Sequence, residues 1–358
     1  IDQTLTKPLL PFESLHITQW IAIGDDETAY NINRYTSVSL FPSPNGRLPI
    51  VILSYVKNLD EKTFNDILHI HEILNKNGID HYTIAVDING IDKDKVKSLK
   101  DKNIEVIYAL SPDIVTSSQD LLLVIKNLKR LGMDCKDFMI VDNALALIPS
   151  IRHLVERNES CINSLIVRVV PPPFYMYWKE GFRMPQFAYI NGNKTNITLI
   201  PISGPIVTKS TRKIPEEKNF INVIDTAIRY EDPVVLRFDV EKLDDPEILN
   251  LLLNVIKYAK IRGMTLTTIH DISNYFRLLQ NISAVVSIDD KNIIISVKND
   301  NDKLMTGLTL KVSVEGKYKV KGGKIIKETV TGSIRTYYIS VNLKPKEIKE
   351  IVLSKINK

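Results

Sequence analysis

The chain has 358 residues, 44% of them apolar and 25% charged, a globular composition that argues against intrinsic disorder. No apolar run approaches the roughly 20 residues that cross a bilayer as a helix, so no transmembrane segment is expected. The formal net charge of +5 is uneven: residues 303–358 hold 13 Lys/Arg against 4 Asp/Glu, so a basic C-terminal module follows a mildly acidic larger part.

Residues 1–48 read as an irregular, proline-containing lead-in that packs on the domain behind it. A hairpin is expected within it, from 15–23 and 35–41 around Gly24-Asp25-Asp26. The chain starts at Ile1 and not Met, which suggests a mature form whose leader has been removed. From Pro49 the rhythm changes. Short β-branched runs at 50–55, 82–86, 105–110, 138–141, 164–170, 234–238 and 265–269 alternate with helical patterns. One helix is expected over 60–77, with Phe64, Ile67, Leu68, His71, Ile73 and Leu74 on one face and Gly78 as its stop. Another ends at Gly132. A third runs from 246 to 262, between Asp244-Asp245-Pro246 and Gly263. Seven strands with intervening helices fit an α/β barrel over 49–280 better than an open sheet.

After residue 280 the pattern turns to strict alternation. Strands are expected at 284–288, 292–297, 308–314, 318–320, 324–326, 337–341 and 350–353, with Gly322-Gly323 as a hairpin turn. Strands without helices predict a small all-β sandwich over 281–358. Lys317, Lys319 and Lys321 share one face of a strand there. They could meet an anionic partner or another copy of the chain, but a solvated lysine row that protects a sheet edge is the commoner reason for this spacing.

Barrel sites form where strands end at the C-terminal rim. That rim would receive Asp87, Asn89, Asp113, Asp142, Asn143, Arg168, Arg237, Asp239, His270 and Asp271. Carboxylates around one mouth suit acid–base chemistry of the glycosidase type, but Asp and Asn also follow strands simply as turn and helix caps. The most distinctive run is Pro171-Pro172-Pro173-Phe174-Tyr175-Met176-Tyr177-Trp178. Its prolines stiffen a loop over the same rim, and Tyr175, Tyr177 and Trp178 offer flat faces for a sugar, with Arg183 close behind. The competing account is that these rings plug the barrel mouth.

The six histidines show no H-x3-H or H-E-x-x-H spacing, and His69 and His71 point to different helix faces, so no metal site and no cofactor is expected. Cys135 and Cys161 are either a disulfide or two buried thiols. Sequons stand at Asn158, Asn193, Asn196 and Asn281, and a polar loop over 191–196 would suit a glycan. Basic residues are not interleaved with aromatics in a recognisable module, which speaks against nucleic acid.

The segments PIVILSYVKNLDEKTFNDILHIHEILNKNGIDHYTIAV, KVKSLKDKNIEVIYALSPD and PVVLRFDVEKLDDPEILNLLLNVIKYAKIRGMTLTTIHDISNYF resemble, in element order and apolar patterning, the polysaccharide deacetylase superfamily of carbohydrate esterases. The resemblance implies a deacetylase-like (β/α)7-type barrel. It also implies a divalent metal held by an aspartate and two histidines, an aspartate base, and a histidine that assists the leaving group. None of these motifs is present. The positions read Tyr55-Val56-Lys57-Asn58, Leu110-Ser111-Pro112-Asp113 and Leu236-Arg237-Phe238-Asp239. No catalytic residue is therefore carried over.

The expectation is an exported or cell-surface protein with a catalytically degenerate barrel. It would bind carbohydrate or a cell-surface glycan through Tyr175, Tyr177, Trp178, Arg183, Arg237 and Asp239, or serve in assembly, with self-association through the basic sandwich. Low Gln with high Lys and Ile gives the chain an archaeal look. The alternative is an active carbohydrate enzyme, either a deacetylase with displaced ligands or a glycosidase using rim carboxylates.

Overall fold

The computed structural model describes residues 37–111, 118–133, 136–141, 162–167, 185–190, 193–288 and 291–356. Strand β1 (Ser37–Leu40) opens the described chain and belongs to the C-terminal unit. The larger unit, over Pro49–Ser273, is built on β2 (Pro49–Val56), β3 (Tyr82–Asp87), β4 (Ile104–Leu110), β5 (Asp137–Ile140) and β6 (Ser164–Val167). It continues through β7 (Gln186–Ile190), β8 (Asn193–Pro201), β9 (Ile206–Val207), β10 (Val234–Phe238) and β11 (Thr265–Leu266). Eight of these run parallel in the order β8-β6-β5-β4-β3-β2-β10-β9 and form a curled half-barrel. Strand β7 adds antiparallel to β8, and β11 pairs with the start of β2.

The strands of this sheet are near-continuous apolar runs, because helices cover one face and the other is interior. The helices are α1 (Glu61–Lys76), α2 (Lys93–Asp101), α3 (Ser118–Arg130), α4 (Glu217–Tyr230), the single turn α5 (Val240–Leu243), α6 (Pro246–Ile261) and α7 (Ile269–Leu279). Asp60 and Asp245 cap α1 and α6 by accepting the amides of Thr63 at 2.8 Å and Glu247 at 2.9 Å. Both helices stop at glycines in the left-handed region, Gly78 at φ +69° and Gly263 at φ +85°.

Two expectations change here. Asn193 and Asn196 lie in β8 and not in a loop, since Thr195, Ile197, Thr198 and Ile200 make a β-branched run that pairs with β6 and β7. The strand expected at 265–269 is two residues long, and Ile269 already begins α7. The strand expected at 164–170 is described only as far as Val167.

The second unit joins residues 37–48 to Asn274–Lys358. Its strands are β12 (Ile282–Ile288), β13 (Asn292–Asn299), β14 (Met305–Glu315), β15 (Tyr318–Lys321), β16 (Lys324–Thr331), β17 (Ile334–Leu343) and β18 (Ile348–Lys355). They form two four-stranded antiparallel sheets, β1-β14-β17-β16 and β12-β13-β18-β15. Ile293, Ile295 and Val297 of one sheet and Leu308, Leu310 and Val312 of the other belong to one buried core. The described end of the lead-in is thus a sandwich strand, Val38 opposite Val312, where the sequence suggested packing on the barrel.

Gly322-Gly323 is not a hairpin turn, because β15 and β16 belong to different sheets and the glycines carry the chain from one to the other. Gly322 sits at φ +90°, and a Cβ there would run into the carbonyl oxygen of Glu350. Gly322→Ala is therefore expected to destabilise the full chain by about 1–3 kcal/mol in urea unfolding. Gly332→Ala, at φ +62° with nothing within 4 Å of the new methyl, should cost only about 1 kcal/mol and serves as the control. Equal losses would show that the conformation, and not the close approach, is what glycine supplies at 322.

Candidate functional site

Phe220 of α4 stacks on Phe238 of β10 at 5.2 Å between ring centroids, so Phe238 faces the helical layer. Arg237, one residue earlier, points to the opposite, interior face. Register carries that parity across the sheet. Arg237 is opposite Leu53, Leu53 opposite Thr83, and Thr83 opposite Glu105. Further along, Ala109 is opposite Met139, Asp137 opposite Ser164, and Ser164 opposite Thr198. The interior face is thus polar at both ends, with a buried waist of Leu53, Ala85, Ile107, Met139, Ile166 and Ile200 between them.

At the C-terminal ends of the strands stand Tyr55, Asp87, Arg237 and Asp239. The Arg237 guanidinium donates to Asp239 through Nε at 2.9 Å and Nη2 at 3.3 Å, a two-point pair. The same guanidinium lies 5.2 Å from the centroid of the Tyr55 ring. The Tyr55 hydroxyl donates to Asp87 Oδ2 at 3.1 Å, and Asp87 Oδ1 accepts the amide of Asn89 at 3.1 Å. The end of β10 is itself fixed: the Tyr82 hydroxyl donates to Ser54 Oγ at 2.7 Å, and Ser54 donates to the Phe238 carbonyl. The Asp239 amide reaches the Val207 carbonyl at 2.8 Å.

Electrostatically this is a closed arrangement. Burial pushes the Asp239 carboxyl above its ordinary range, and the Arg237 charge beside it pulls back without fully offsetting that. Burial and then the Asp87 charge drive the Tyr55 phenol well upward, so it stays protonated and donates. Arg237 is 3% exposed and Asp239 6%. The structure brings these two sequence candidates together, but turned toward each other and not outward. Tyr175, Tyr177, Trp178 and Arg183 lie outside the described residues, as do Asp113, Asp142, Asn143, Arg168, Asn158, Cys135 and Cys161. Asn196 and Asn281 are both exposed, and the Asn281 side-chain amide donates to Asn301 at 3.1 Å.

The metal implied by the resemblance can be tested against this donor set. A guanidinium stands among the carboxylates, and both oxygens of Asp239 are taken by it. Among the described residues no three His, Cys, Asp or Glu side chains converge as cation ligands. The described residues do not fit a divalent cation.

His270 and Asp271 are not at this rim. Because β11 ends at Leu266, beside the start of β2, α7 begins at the opposite end of the sheet. There the Glu105 carboxylate accepts the amides of Ile269 at 2.9 Å and His270 at 2.8 Å and the Thr83 hydroxyl at 2.5 Å. Asp137 accepts Ser164 Oγ at 2.6 Å and pairs with His270 Nδ1 at 3.0 Å. Sequence reasoning passed over this layer, although its signal is present: Glu105, Asp137 and Ser164 each interrupt the first or second position of an otherwise apolar strand.

No protein-family profile matches the chain, and no curated protein matches it significantly. Solved structures similar to it include a putative polysaccharide deacetylase from Mycobacterium smegmatis, at 11% identity and TM-score 0.49, covering 68% of this chain and 96% of that one. A PuuE allantoinase is similar at 12% identity and TM-score 0.47, over 65% of this chain and 92% of that one. A CE4 family pseudoenzyme from Bacillus anthracis is similar at 10% identity and TM-score 0.36, over 64% of this chain and 66% of that one.

Proposed function

We propose that this chain is a non-hydrolysing, carbohydrate-binding protein built on a deacetylase-like half-barrel, working outside the cell or at its surface with the sandwich as an attachment module. The Arg237–Asp239 pair carries the reading. It stands where the resemblance puts leaving-group chemistry, and its two charges hold each other. Both oxygens of the Asp239 carboxylate are bonded to the buried guanidinium and neither is turned to a substrate, and a phenol pushed upward by burial is a poor acid at neutral pH. Glycan contact then falls to the aromatic run at 174–178 with Arg183. Export is favoured by the exposed sequon residues Asn196 and Asn281.

Two measurements test this on the purified full chain. Acetylated chito-oligosaccharides incubated with it and added Zn2+ or Co2+ should release no acetate above the buffer blank. Calorimetric titration with the same oligosaccharides should show binding that Tyr175→Ala, Tyr177→Ala and Trp178→Ala together weaken by tenfold or more, since each stacked ring is worth roughly 0.5–1.5 kcal/mol. Metal-dependent acetate release would sink the non-hydrolytic half of the proposal. Binding unchanged in the triple variant would sink the glycan half.

A further inference from the structure

The polar layer at the strand starts plays no part in the reading above, yet it is the more elaborately built of the two. Glu105 caps the first turn of α7 through two successive amides, and the His270 ring adds a second tie to the sheet through Asp137. Ser164 holds the other Asp137 oxygen and so fixes which way that carboxylate faces. The two partners differ in access to water: the Asp137 side chain is 8% exposed, the His270 side chain 42%. A proton can therefore reach the imidazole from solvent while its partner carboxylate stays covered.

Thr198 Oγ1, beside Ser164 on the same interior face, and Ser273 Oγ of α7 are both buried, and neither has a hydrogen-bond partner among the described residues. Buried hydroxyls without partners weaken the closed arrangement, which the two carboxylate ties help to hold beside the buried Ile269 and Ile272.

We propose that Asp137 and His270 form a proton-operated latch, which holds the first turn of α7 against the strand starts and loosens as pH rises. The groups acting on the imidazole include Asp137 from β5, Glu105 from β4 and Asp271 from its own helix, all carboxyls. The Asp137 hydrogen bond leads in holding the imidazolium above the ordinary histidine range, against the opposing effect of burial. A histidine raised on folding stabilises fully below its unfolded value near 6.5, and that stabilisation fades as pH climbs through the raised folded value. Burial also pushes the Glu105 carboxyl up, so its ionisation weakens the fold in the same direction with rising pH, and the two residues must be separated by substitution.

Hydrogen exchange on the full chain between pH 5.5 and 9, corrected for the intrinsic rate, reads the latch directly. Amides at 271–276 should lose protection about tenfold across one transition in the wild type. That transition should vanish in His270→Gln, move to lower pH in Asp137→Asn, and persist in Glu105→Gln. Protection at β2 and β10 should remain pH-independent in all three variants, confirming that the half-barrel folds. A wild type with no transition, or the same transition in His270→Gln, would overturn the latch.

Discussion

Replacing Arg237 by alanine is expected to destabilise the full chain by about 3–5 kcal/mol in chemical unfolding, because it strands a buried carboxylate without its partner. In the wild type, Asp239 receives two hydrogen bonds from the guanidinium, and both side chains are shielded from water. Without Arg237 the desolvation is opposed only by the Tyr55 backbone hydrogen bond, and the Asp239 carboxyl must move further up than burial already takes it. A carboxyl raised on folding favours the native state at low pH and loses that advantage as pH rises. The Arg237→Ala deficit should therefore be largest near neutrality and shrink in acid. The double change Arg237→Met with Asp239→Leu removes both charges and keeps volume, and should recover most of the loss. A single variant within about 1 kcal/mol of the wild type at pH 7 would mean that water reaches the pair and that the site is open.

At the other end of the sheet, Glu105→Ala should cost about 3 kcal/mol or more. It orphans the Thr83 hydroxyl and the amides of Ile269 and His270, and each abandoned donor costs roughly 1–3 kcal/mol. Helix α7 also loses the negative charge at its N-terminus. Glu105→Gln keeps the shape but offers one acceptor oxygen in place of two, so roughly half the loss is expected. Thermal unfolding of both variants checks the order. A Glu105→Ala protein as stable as the wild type would show that α7 is held by its apolar contacts alone.

Much of this was legible along the chain. The runs at 50–55, 82–86, 105–110 and 234–238 became β2, β3, β4 and β10, since uninterrupted β-branched stretches between helices suit a sheet buried on both faces. The aspartates and glycines that bound α1 and α6 were readable because capping is local chemistry. The alternation after residue 280 likewise announced antiparallel strands.

Other features depended on contacts distant in sequence. Ser37–Leu40 has the pattern of any short strand, and only its pairing with β14 places it in the sandwich. Lys319 and Lys321 share a strand face wherever β15 goes, but whether Gly322-Gly323 turns a hairpin or crosses between sheets is decided by β18 and β17, which follow later. His270 follows an apolar run as a rim residue would, yet β11 stops after Leu266, and the carboxylates of Glu105 and Asp137, more than 130 residues away, capture the turn. Arg237 and Asp239 could have pointed at a ligand; burial at the end of β10 turns each toward the other, because a desolvated charge needs a partner close by. Local periodicity and capping thus determined the elements. Long-range pairing and desolvation, which leave no trace in a short window of sequence, decided what those elements bring together.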